Sequence, residues 1–390
     1  MFMNLSRRTV VSSALLASLI AGLPLAHAAD PGVEKGTLRI GSFLPLQSAL
    51  AAGATQYRAG ADAYFKSVND AGGVHGRKID WVVENDSYNP QQAVAVTKKM
   101  IDRDGVFAIV STLGTATGLA VLPLLEQRKV PGINLSGASP LLSEPKARNL
   151  FGLTPSGVAQ GRSIASYATG PFAGKKIGVF YQNDQLGKDM RDGAVAELKG
   201  KGITPVAEAT YVPSDVDVSA QALSLKQSGA EVVIMAAIPK QGSLFLQEMA
   251  KLGWAPKVVA GTMMSDPITP SLAGKPLEGT VIGVITAVPS TPNPKLQAVN
   301  ATIRKYHPEV DPGYWSYLGY AGAAVFVEAA RKAGPDISRE KLIATLETMK
   351  DIDVAVMPPL SFSPDNHSGG KTLDYAIWKD GVLTPIPASR

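Results

Sequence analysis

The feature that most constrains this chain is an alternation of strand-like and helix-like segments that begins at Thr37. Short apolar runs rich in strand-forming residues alternate with longer stretches whose apolar residues recur at helical spacing. The strand-like runs are 37–44, 78–83, 106–111 and 130–135, and the helix-like stretches are 55–71, 90–103 and 118–128. Strands and helices in this order form parallel sheets with helices on both faces. The sequence therefore predicts an α/β fold.

The alternation restarts near residue 176, after a stretch at 153–161 that contains Pro155, Gly157 and Gly161. Strand-like runs then cover 176–181, 205–211, 231–237, 257–260 and 281–288, and helix-like stretches cover 187–199, 218–228 and 241–252. We expect a second α/β unit in series with the first, joined to it at 153–161. Two open sheets that face each other leave a shared cleft at their strand ends, where ligands of such sheets bind.

Two late helix-like stretches, 295–306 and 317–332, have no strand-like run beside them in the sequence. A proline-rich piece with Pro289, Pro292 and Pro294 leads into them. We expect these helices to return to the first unit, because no strand partner lies near them along the chain. The core of the first unit is then discontinuous in sequence.

Residues 1–28 have the pattern of an export signal. Arg7 and Arg8 precede an apolar stretch, and a small-x-small pattern predicts cleavage after Ala28. A membrane anchor is the alternative. The arginine pair also resembles a twin-arginine signal, although Val11 stands where phenylalanine is usual, so the Sec and twin-arginine routes both stay open. No later segment has the roughly 18 consecutive apolar residues of a membrane span, so we expect a periplasmic mature protein.

Composition argues against most catalytic chemistry. The chain has no cysteine, which excludes disulfides, thiol nucleophiles and iron–sulfur clusters, and only 4 histidines in 390 residues. No glycine-rich dinucleotide motif, phosphate-binding loop or nucleophile elbow is present. The 38 Lys+Arg and 33 Asp+Glu are scattered, and a net charge of +5 gives weak support for nucleic-acid binding. We expect no metal, no cofactor, no nucleic-acid partner and no catalytic residue.

Two loops rich in hydroxyl and small residues follow neighbouring strands. Residues 111–118 come after the run 106–110, just before a helix, and residues 134–139 end the next strand. Hydroxyl groups and the free N–H groups of a helix N-terminus can bind an anion without an arginine. Ordinary N-capping by serine and threonine is the alternative for either loop alone. Their position on adjacent strand ends favours a ligand carboxylate held by both.

A series of short segments along the chain has a recognisable order and spacing. These segments are 45–53, 69–78, Asp86-Ser87, 91–96, 130–140 and Gly187. Together they resemble the periplasmic solute-binding proteins of branched-chain amino-acid ABC importers, which are type I periplasmic binding proteins. The resemblance implies two lobes that close on a solute like a Venus flytrap. It also implies a monomer that passes its ligand to an importer permease in the inner membrane.

The resemblance further implies three crossings between the lobes. They would lie near residues 153–156, 284–288 and 358–362. Lobe 1 would then comprise 29–154 plus 288–358, and lobe 2 would comprise 155–287 plus 359–390. The ligand cleft would lie between them.

Carried over position by position, the resemblance implies ligand contacts on both lobes. The first-lobe positions are Ser48, Leu50, Ala52, Leu113, Gly114, Thr115, Ala116, Ser136, Gly137 and Ala138. The second-lobe positions are Tyr181, Asp184, Leu186, Ile238, Thr262 and Met263. Thr115 and Ala116 match the loop that binds the ligand carboxylate, and Ser136 begins the second binding loop.

The sequence departs from the family pattern where an amino acid's ammonium group is held. Amino-acid-binding members place an acidic residue there, whereas this chain has Thr262, followed by Met263 and Met264. A buried ammonium without a carboxylate partner is costly, so we expect an apolar or aromatic carboxylate rather than a free α-amino acid. Methionines suit irregular apolar ligands, although core packing would equally explain the pair. Asp184 or Asp266 is the alternative source of the missing charge.

The sequence thus predicts a solute-binding protein that closes its cleft around a small carboxylate. The alternatives are binding of branched-chain or hydrophobic amino acids, and a ligand-sensing subunit of a receptor. A more remote alternative is an exported hydrolase with Ser136 or Ser139 as nucleophile, for which no base is evident. Trp315 and Tyr317, near the start of a late helix, either stack on the ligand or anchor that helix in the core.

Overall fold

The computed structural model describes residues 30–387, so the predicted export signal at 1–28 lies outside the described residues. The described chain forms two sheets. The first contains β1 (Val33–Glu34), β2 (Thr37–Leu44), β3 (Lys78–Asn85), β4 (Ile109–Leu113), β5 (Gly132–Ser136) and β6 (Leu150–Phe151). Its order is β1-β2-β4-β5-β6, with β3 also paired to β2. All these pairs are parallel except the short edge strand β1.

Four helices follow the strands of the first sheet in the chain. They are α1 (Ala51–Asp70), α2 (Pro90–Asp102), α3 (Thr115–Arg128) and α4 (Pro140–Ser143). Asn89 caps the N-terminus of α2. Its side chain accepts a hydrogen bond from the Gln92 N–H at 3.0 Å, and a proline follows it as the first helical residue. Helix α3 begins at Thr115, earlier than the predicted residue 118. The loop that the sequence placed before this helix therefore includes its first turn.

The second sheet is parallel in its centre and antiparallel at one edge. Its strands are β7 (Ile177–Gln182), β8 (Ala207–Tyr211), β9 (Val232–Ala236), β10 (Lys257–Ala260), β11 (Val281–Val284), β12 (Asp374–Lys379) and β13 (Val382–Ile386). The order is β13-β12-β11-β10-β9-β7-β8. Strands β11, β12 and β13 pair antiparallel, which the sequence did not predict. Asp380 and Gly381 have positive φ angles of 52° and 72°, which suit a tight hairpin turn.

Helices also flank the second sheet, and the first of them begins within the predicted connection. They are α5 (Gly157–Ala168), α6 (Gln185–Gly200), α7 (Ser219–Gln227), α8 (Pro239–Lys251) and α9 (Thr269–Ala273), with 3-10 helices at Thr262–Ser265 and Lys275–Leu277. Helix α5 occupies part of the predicted connection at 153–161. It starts there because the Ser156 hydroxyl accepts a hydrogen bond from the Ala159 N–H at 3.2 Å.

The late helices pack beside α1 and one another. They are α10 (Pro294–Tyr306), α11 (Tyr314–Ala333) and α12 (Arg339–Thr348). Helices α11 and α1 lie so close that a Cβ on Gly60 would collide with the Ser316 carbonyl, and one on Gly319 with the Tyr57 carbonyl. Glycine at both positions therefore lets α11 fill the space beside α1. Neither these nor any other helix within residues 30–387 is long and apolar enough to cross a bilayer.

The third connection between the lobes lies later than the predicted crossing. Phe362 is fully buried in the first-lobe core, where its ring lies edge-on to Phe151 with centroids 5.3 Å apart. The Gly369 N–H donates to the Gly152 carbonyl at 2.8 Å, which holds this segment on the first lobe. The chain reaches the second sheet only at β12. The structure therefore differs from the predicted start of the second-lobe segment at 359, because the aromatic side chain is buried on the other lobe.

Candidate functional site

A cavity lies between the two lobes, where the ends of β4 and β5 face α6, α8 and the 3-10 helix Thr262–Ser265. Residues of both lobes line it, as is common for small-molecule sites at domain interfaces. The predicted residues on its wall are Leu50, Leu113, Gly114, Thr115, Ser136, Gly137, Ala138, Leu186, Ile238, Thr262 and Met263. The structure therefore brings together most of the residues that the resemblance implied.

The remaining predicted residues lie beside the cavity rather than on its wall. Ser48 uses its hydroxyl group in a local turn before α1. Ala52 lines a separate, smaller cavity. Ala116 lies in the first turn of α3, Tyr181 near the end of β7, and Asp184 at the N-terminus of α6. Neighbouring side chains of a helix or strand point in different directions, so a contiguous loop motif does not place all its members on one wall.

The wall also contains residues that the sequence analysis did not single out, namely Tyr88, Thr154, Gln160, Met190, Ile285, Tyr314 and Leu318. Met190 lies one turn after Leu186 on α6, so helical spacing would have found it. Gln160 lies in α5, which the sequence analysis treated as a connection. Of the two aromatic candidates, Trp315 lines the cavity, whereas Tyr317 is buried in the first-lobe core.

The loop after β4 directs the start of α3 into the cavity. Gly114 has a φ angle of 138°, and a Cβ there would collide with the Thr117 hydroxyl group. No side chain caps α3, and the Gly118 N–H donates to the Gly114 carbonyl at 2.9 Å. The N–H groups of Thr115 and Ala116 therefore have no partner within the helix and lie at its positive end. They are suited to bind an anion.

The loop after β5 is fixed against the loop after β4. The two strands pair up to Leu113 and Ser136, and the Gly114 N–H donates to the Ser136 carbonyl at 2.9 Å. The Ala138 N–H donates to Thr115 Oγ1 at 2.9 Å, which leaves the hydroxyl hydrogen of Thr115 available for another acceptor. Thr115 and Ser136 are only 1% and 9% exposed. The two loops thus form one rigid set of uncharged donors.

N-capping, the alternative explanation for these loops, applies at one position. Ser139 caps the short helix α4, since its hydroxyl oxygen accepts a hydrogen bond from the Leu141 N–H at 3.3 Å. The residue before α3 is Gly114, which has no side chain that could cap it. Thr115 and Ser136 are therefore not used as helix caps.

The second-lobe wall of the cavity is mainly apolar. Leu186 and Met190 lie on α6, Ile238 precedes α8, and Met263 lies in the 3-10 helix after β10. Met264, which follows Met263 in the sequence, is fully buried in the second-lobe core. The methionine pair is therefore divided between the cavity and the core.

Thr262 occupies the position where the resemblance led us to look for an acid, and its hydroxyl group has neutral partners. Its Oγ1 donates to Gln160 Oε1 at 3.2 Å and lies 3.1 Å from the Tyr314 hydroxyl oxygen. Tyr314 begins α11 of the first lobe, so this contact crosses the cleft. Burial is the main cause that raises the pKa of Tyr314 to about 12, so its hydroxyl group is neutral at physiological pH.

Asp184 lies near the cavity, but other groups already hold its carboxylate. The Gly187 N–H donates to Oδ1 at 3.2 Å, and the Gln182 amide donates to Oδ2 at 2.6 Å. The Tyr88 hydroxyl donates to the same Oδ2 at 3.3 Å from the first lobe. Burial is also the main cause that raises the pKa of Tyr88, so the tyrosine remains a donor. Asp184 therefore caps α6 and joins the lobes.

The cavity contains no ionisable centre of the usual catalytic kinds. Its wall, within the part of the chain that the structure describes, has no aspartate, glutamate, lysine, arginine or histidine. Ser136 accordingly has no general base beside it on this wall. Among residues 30–387, no group of three or more His, Cys, Asp or Glu residues is placed to hold a metal ion.

Comparisons with known proteins agree with this architecture. Residues 37–381 match the model of a family described as periplasmic binding protein. Leu/Ile/Val-binding protein homolog 3 of Brucella melitensis is 26% identical over 350 residues, which cover 90% of this chain and 93% of that protein. Leu/Ile/Val-binding protein homolog 1 of Brucella suis is 25% identical over 375 residues, covering 96% of each.

Solved structures share the fold at lower sequence identity. A branched chain amino acid ABC transporter from Thermus thermophilus with bound valine has a TM-score of 0.84 and 20% identity, covering 90% of this chain and 96% of its own. A fatty acid ABC transporter substrate-binding protein from Thermomonospora curvata has a TM-score of 0.83 and 22% identity, covering 92% and 93%. The expected two-lobed α/β fold is thereby confirmed.

Proposed function

Because this chain belongs to the periplasmic binding protein family, we propose that it captures a small apolar or aromatic carboxylate and delivers it to an ABC importer. The chain is a binding protein rather than an enzyme, so the hydrolase alternative with Ser136 or Ser139 as nucleophile is set aside. The ligand would occupy the cavity between the lobes. Its carboxylate would lie on the loops after β4 and β5.

The observation that supports this proposal most strongly is the lack of any charged side chain on the described cavity wall. A carboxylate would accept hydrogen bonds from the Thr115 N–H and from the hydroxyl groups of Thr115 and Ser136, with the Ala116 N–H beside the Tyr88 hydroxyl group. An ammonium group finds no carboxylate, since Asp184 is off the wall and already accepts from three donors. A buried, unpaired ammonium costs on the order of several kcal/mol. The wall therefore favours an acid without an amine.

Binding of branched-chain amino acids is the second candidate. The curated relatives carry Leu/Ile/Val-binding in their names, and one structural neighbour holds valine. Another neighbour is named for fatty acids, which have a carboxylate and no amine. A shared fold does not choose between these ligands, because function depends on the site that a fold supports. The chemistry of the wall favours the acid.

Closure of the lobes is the proposed step that retains the ligand. Two side-chain hydrogen bonds cross the cleft, one between Tyr88 and Asp184 and one between Thr262 and Tyr314, and the Gly157 N–H donates to the Ala138 carbonyl. A ligand that touches both lobes favours the closed state through the contacts it makes only there. We propose that the hinge comprises the connections at residues 152–156, 285–293 and 369–373. A micromolar dissociation constant corresponds to a binding free energy of about −8 kcal/mol. Hydrogen bonds to the carboxylate and burial of the apolar part of the ligand can supply it.

The proposed site of action is the periplasm, with residues 1–28 as a cleaved signal. The N-terminal sequence of the exported protein is expected to begin at Ala29, and an uncleaved N-terminus would contradict this. A ligand-sensing subunit would bind the same acid. Loss of uptake of that acid after deletion of the gene supports the importer role, whereas unchanged uptake supports the sensor. Sedimentation of the mature protein tests the expected monomer.

Calorimetry with matched ligands tests the proposed function. Leucine and 4-methylpentanoate share a carbon skeleton and differ only in the amine, and benzoate tests an aromatic acid. The protein is first unfolded and refolded to remove any ligand carried through purification. We expect 4-methylpentanoate or benzoate to bind at least about tenfold more tightly than leucine, which corresponds to about 1.4 kcal/mol. Tighter binding of leucine than of both acids would show that an ammonium partner exists.

A further inference from the structure

A second cavity adjoins the proposed ligand site. It shares Leu50, Ile238 and Trp315 with the first cavity. Exposed residues of both lobes, Ala52 at the start of α1 and Lys240 at the start of α8, line it. The two cavities therefore meet at three shared apolar residues, and the second one has exposed residues at its edge.

The second cavity contains the acidic group that the first one lacks. Asp266 is fully buried and lines it. Its Oδ1 accepts a hydrogen bond from the Ile268 N–H at 2.8 Å, whereas its Oδ2 has only the Gln56 amide nearby and no hydrogen bond of good geometry. Gln56, from α1 of the other lobe, also lines the cavity, and its Oε1 has no donor. Buried acceptors in proteins nearly always have a partner, so these two atoms call for a donor in the cavity, which water supplies in the free protein and a ligand group can replace.

The charge of Asp266 fits such a donor. Burial raises its pKa to about 6, although the hydrogen bond from the Ile268 N–H and the nearby Gln56 amide act in the opposite direction. The carboxyl group is therefore mostly ionised at neutral pH. A carboxylate of this kind is best satisfied by a hydroxyl or ammonium group, which forms a charge-assisted hydrogen bond with it.

We propose that the second cavity is a subsite for the far end of the ligand, where Asp266 accepts a hydrogen bond from a distal hydroxyl or ammonium group. The inference rests on the proposed function, because the carboxylate of the same ligand lies on Thr115 and Ser136. The middle of the ligand passes Leu50, Ile238 and Trp315, which border both cavities. The ligand class is accordingly an acid with an apolar middle and a hydrogen-bond donor at its other end.

The position of Asp266 also explains why a free α-amino acid is a poor fit. The amine of an α-amino acid is attached one carbon from the carboxylate, whereas Asp266 lies in the neighbouring cavity. An ammonium at the far end of the chain reaches Asp266 with the carboxylate still on the first lobe. The two ends of the ligand are thus distinguished by two separate sites.

A ligand series of increasing length tests the subsite. Refolded full-length mature protein is titrated with straight-chain acids of four to ten carbons, each as the plain acid, the terminal hydroxy acid and the terminal amino acid. We expect the hydroxy or amino acid to bind about tenfold or more tightly than the plain acid within a narrow range of lengths. In Asp266→Asn the advantage of the amino acid is expected to fall about tenfold, because the charge is lost.

Matched controls separate this inference from the proposed function. Asp336→Asn changes an exposed acid that lines neither cavity, and it is expected to keep the wild-type preference. Binding of plain acids tests only the proposed carboxylate site on the loops after β4 and β5. If plain acids bind but the distal donor gives no advantage at any length, the subsite is refuted and the proposed function stands. If no acid of the series binds, the subsite is refuted, and binding of 4-methylpentanoate or benzoate then decides the proposed function separately.

Two further outcomes would overturn the subsite, whatever the wild-type protein's preference for the hydroxy or amino acid over the plain acid. One is a preference that Asp266→Asn leaves unchanged, since the donor would then lie elsewhere. The other is a crystal structure of the complex in which the Gln56 amide nitrogen donates to Asp266 and the ligand stays within the first cavity. The wild-type series remains decisive if Asp266→Asn fails to fold.

Discussion

The two faces of the cleft offer the ligand different kinds of atoms. The first lobe presents N–H and hydroxyl donors on the loops that contain Thr115 and Ser136, where the backbone itself forms much of the site. The second lobe presents mainly apolar side chains, such as Leu186 and Met190 on α6 and Met263 after β10. We propose that the first face recognises the charge of the ligand and that the second fits its shape.

This difference suggests which face sets the ligand class and which sets the individual ligand. A donor set made by backbone N–H groups depends on the course of β4 and β5 and changes little when side chains are exchanged. Leu186 on α6 is only partly buried, so its side chain can be exchanged with less effect on the core. We infer that the first lobe selects carboxylates in general and that the second lobe selects among them.

The largest expected loss of affinity comes from displacing the first-lobe donors. Gly114→Ala adds a Cβ that collides with the Thr117 hydroxyl group, at a φ angle of 138° that side chains rarely adopt. The N–H and hydroxyl contacts of Thr115 to the carboxylate would be lost, so we expect 4-methylpentanoate to bind roughly a hundredfold more weakly. The strain is expected to lower the free energy of unfolding by roughly 1–3 kcal/mol.

Gly279→Ala is the matched control for this substitution. It also places a side chain at positive φ, 79°, but nothing lies within 4 Å of the new Cβ. It should lower stability without weakening calorimetric affinity. If Gly114→Ala binds the acid as tightly as the wild type does, the loop after β4 is not the carboxylate site.

A smaller change to the same face removes one hydroxyl group. Thr115→Val keeps the side-chain shape but removes a donor to the ligand and the acceptor of the Ala138 N–H. We expect the affinity for 4-methylpentanoate to fall about tenfold to a hundredfold, as for hydrogen bonds to a charged group. The orphaned N–H should also cost about 1–3 kcal/mol of stability in a thermal unfolding measurement. Thr348→Val, at an exposed site on α12, should change neither quantity.

The third prediction sharpens the comparison by giving the second lobe a charge. Thr262→Asp places a carboxylate where an acid was expected from the resemblance. We expect the ratio of leucine to 4-methylpentanoate affinity to rise about tenfold, because the new group can pair with an ammonium. Thr262→Asn has nearly the same shape without the charge, and it should leave the ratio close to that of the wild type. An equal response of the two variants would contradict the electrostatic explanation.

The smallest expected effect concerns the contact between the faces. Tyr88→Phe removes the hydroxyl group that donates to Asp184 across the cleft at 3.3 Å. We expect about two- to tenfold faster ligand dissociation, as for one neutral donor lost, with little change in thermal stability. Stopped-flow kinetics measures this rate. Tyr167→Phe serves as the control, because the Tyr167 ring stacks on Tyr375 outside the cavity. An equal effect there would contradict a role of the Tyr88–Asp184 hydrogen bond in retaining the ligand.

Much of the first-lobe face could be predicted from the sequence. Strand-like runs followed by hydroxyl and small residues marked the loops around Thr115 and Ser136, because the ends of parallel strands share one edge of a sheet. The late helices could also be assigned to the first lobe from their lack of nearby strands. Helix α3 begins in the middle of the first loop, so only the general position of the donors was predictable.

The rest of the site depends on local conformations that leave little trace in the sequence. Tyr88 reaches the cavity through two successive residues with positive φ, 51° at Ser87 and 58° at Tyr88, although neither is a glycine. Gln160 could not be predicted as a site residue, because the segment around Pro155 and Gly157 has the composition of a connection rather than of a helix. The subsite acid Asp266 is separated from Thr262 by only four positions, but its cavity exists only where the two lobes meet.

The most direct test of the central claim is a crystal structure of the complex with 4-methylpentanoate or benzoate, whichever binds more tightly. The account predicts the carboxylate within about 2.7–3.2 Å of the Thr115 N–H and of a hydroxyl oxygen of Thr115 or Ser136, the range of N–H···O and O–H···O contacts. The apolar part should lie against Leu186 and Met263. A carboxylate bound instead to a lysine or arginine side chain, with these donors left in contact with water, would contradict the account.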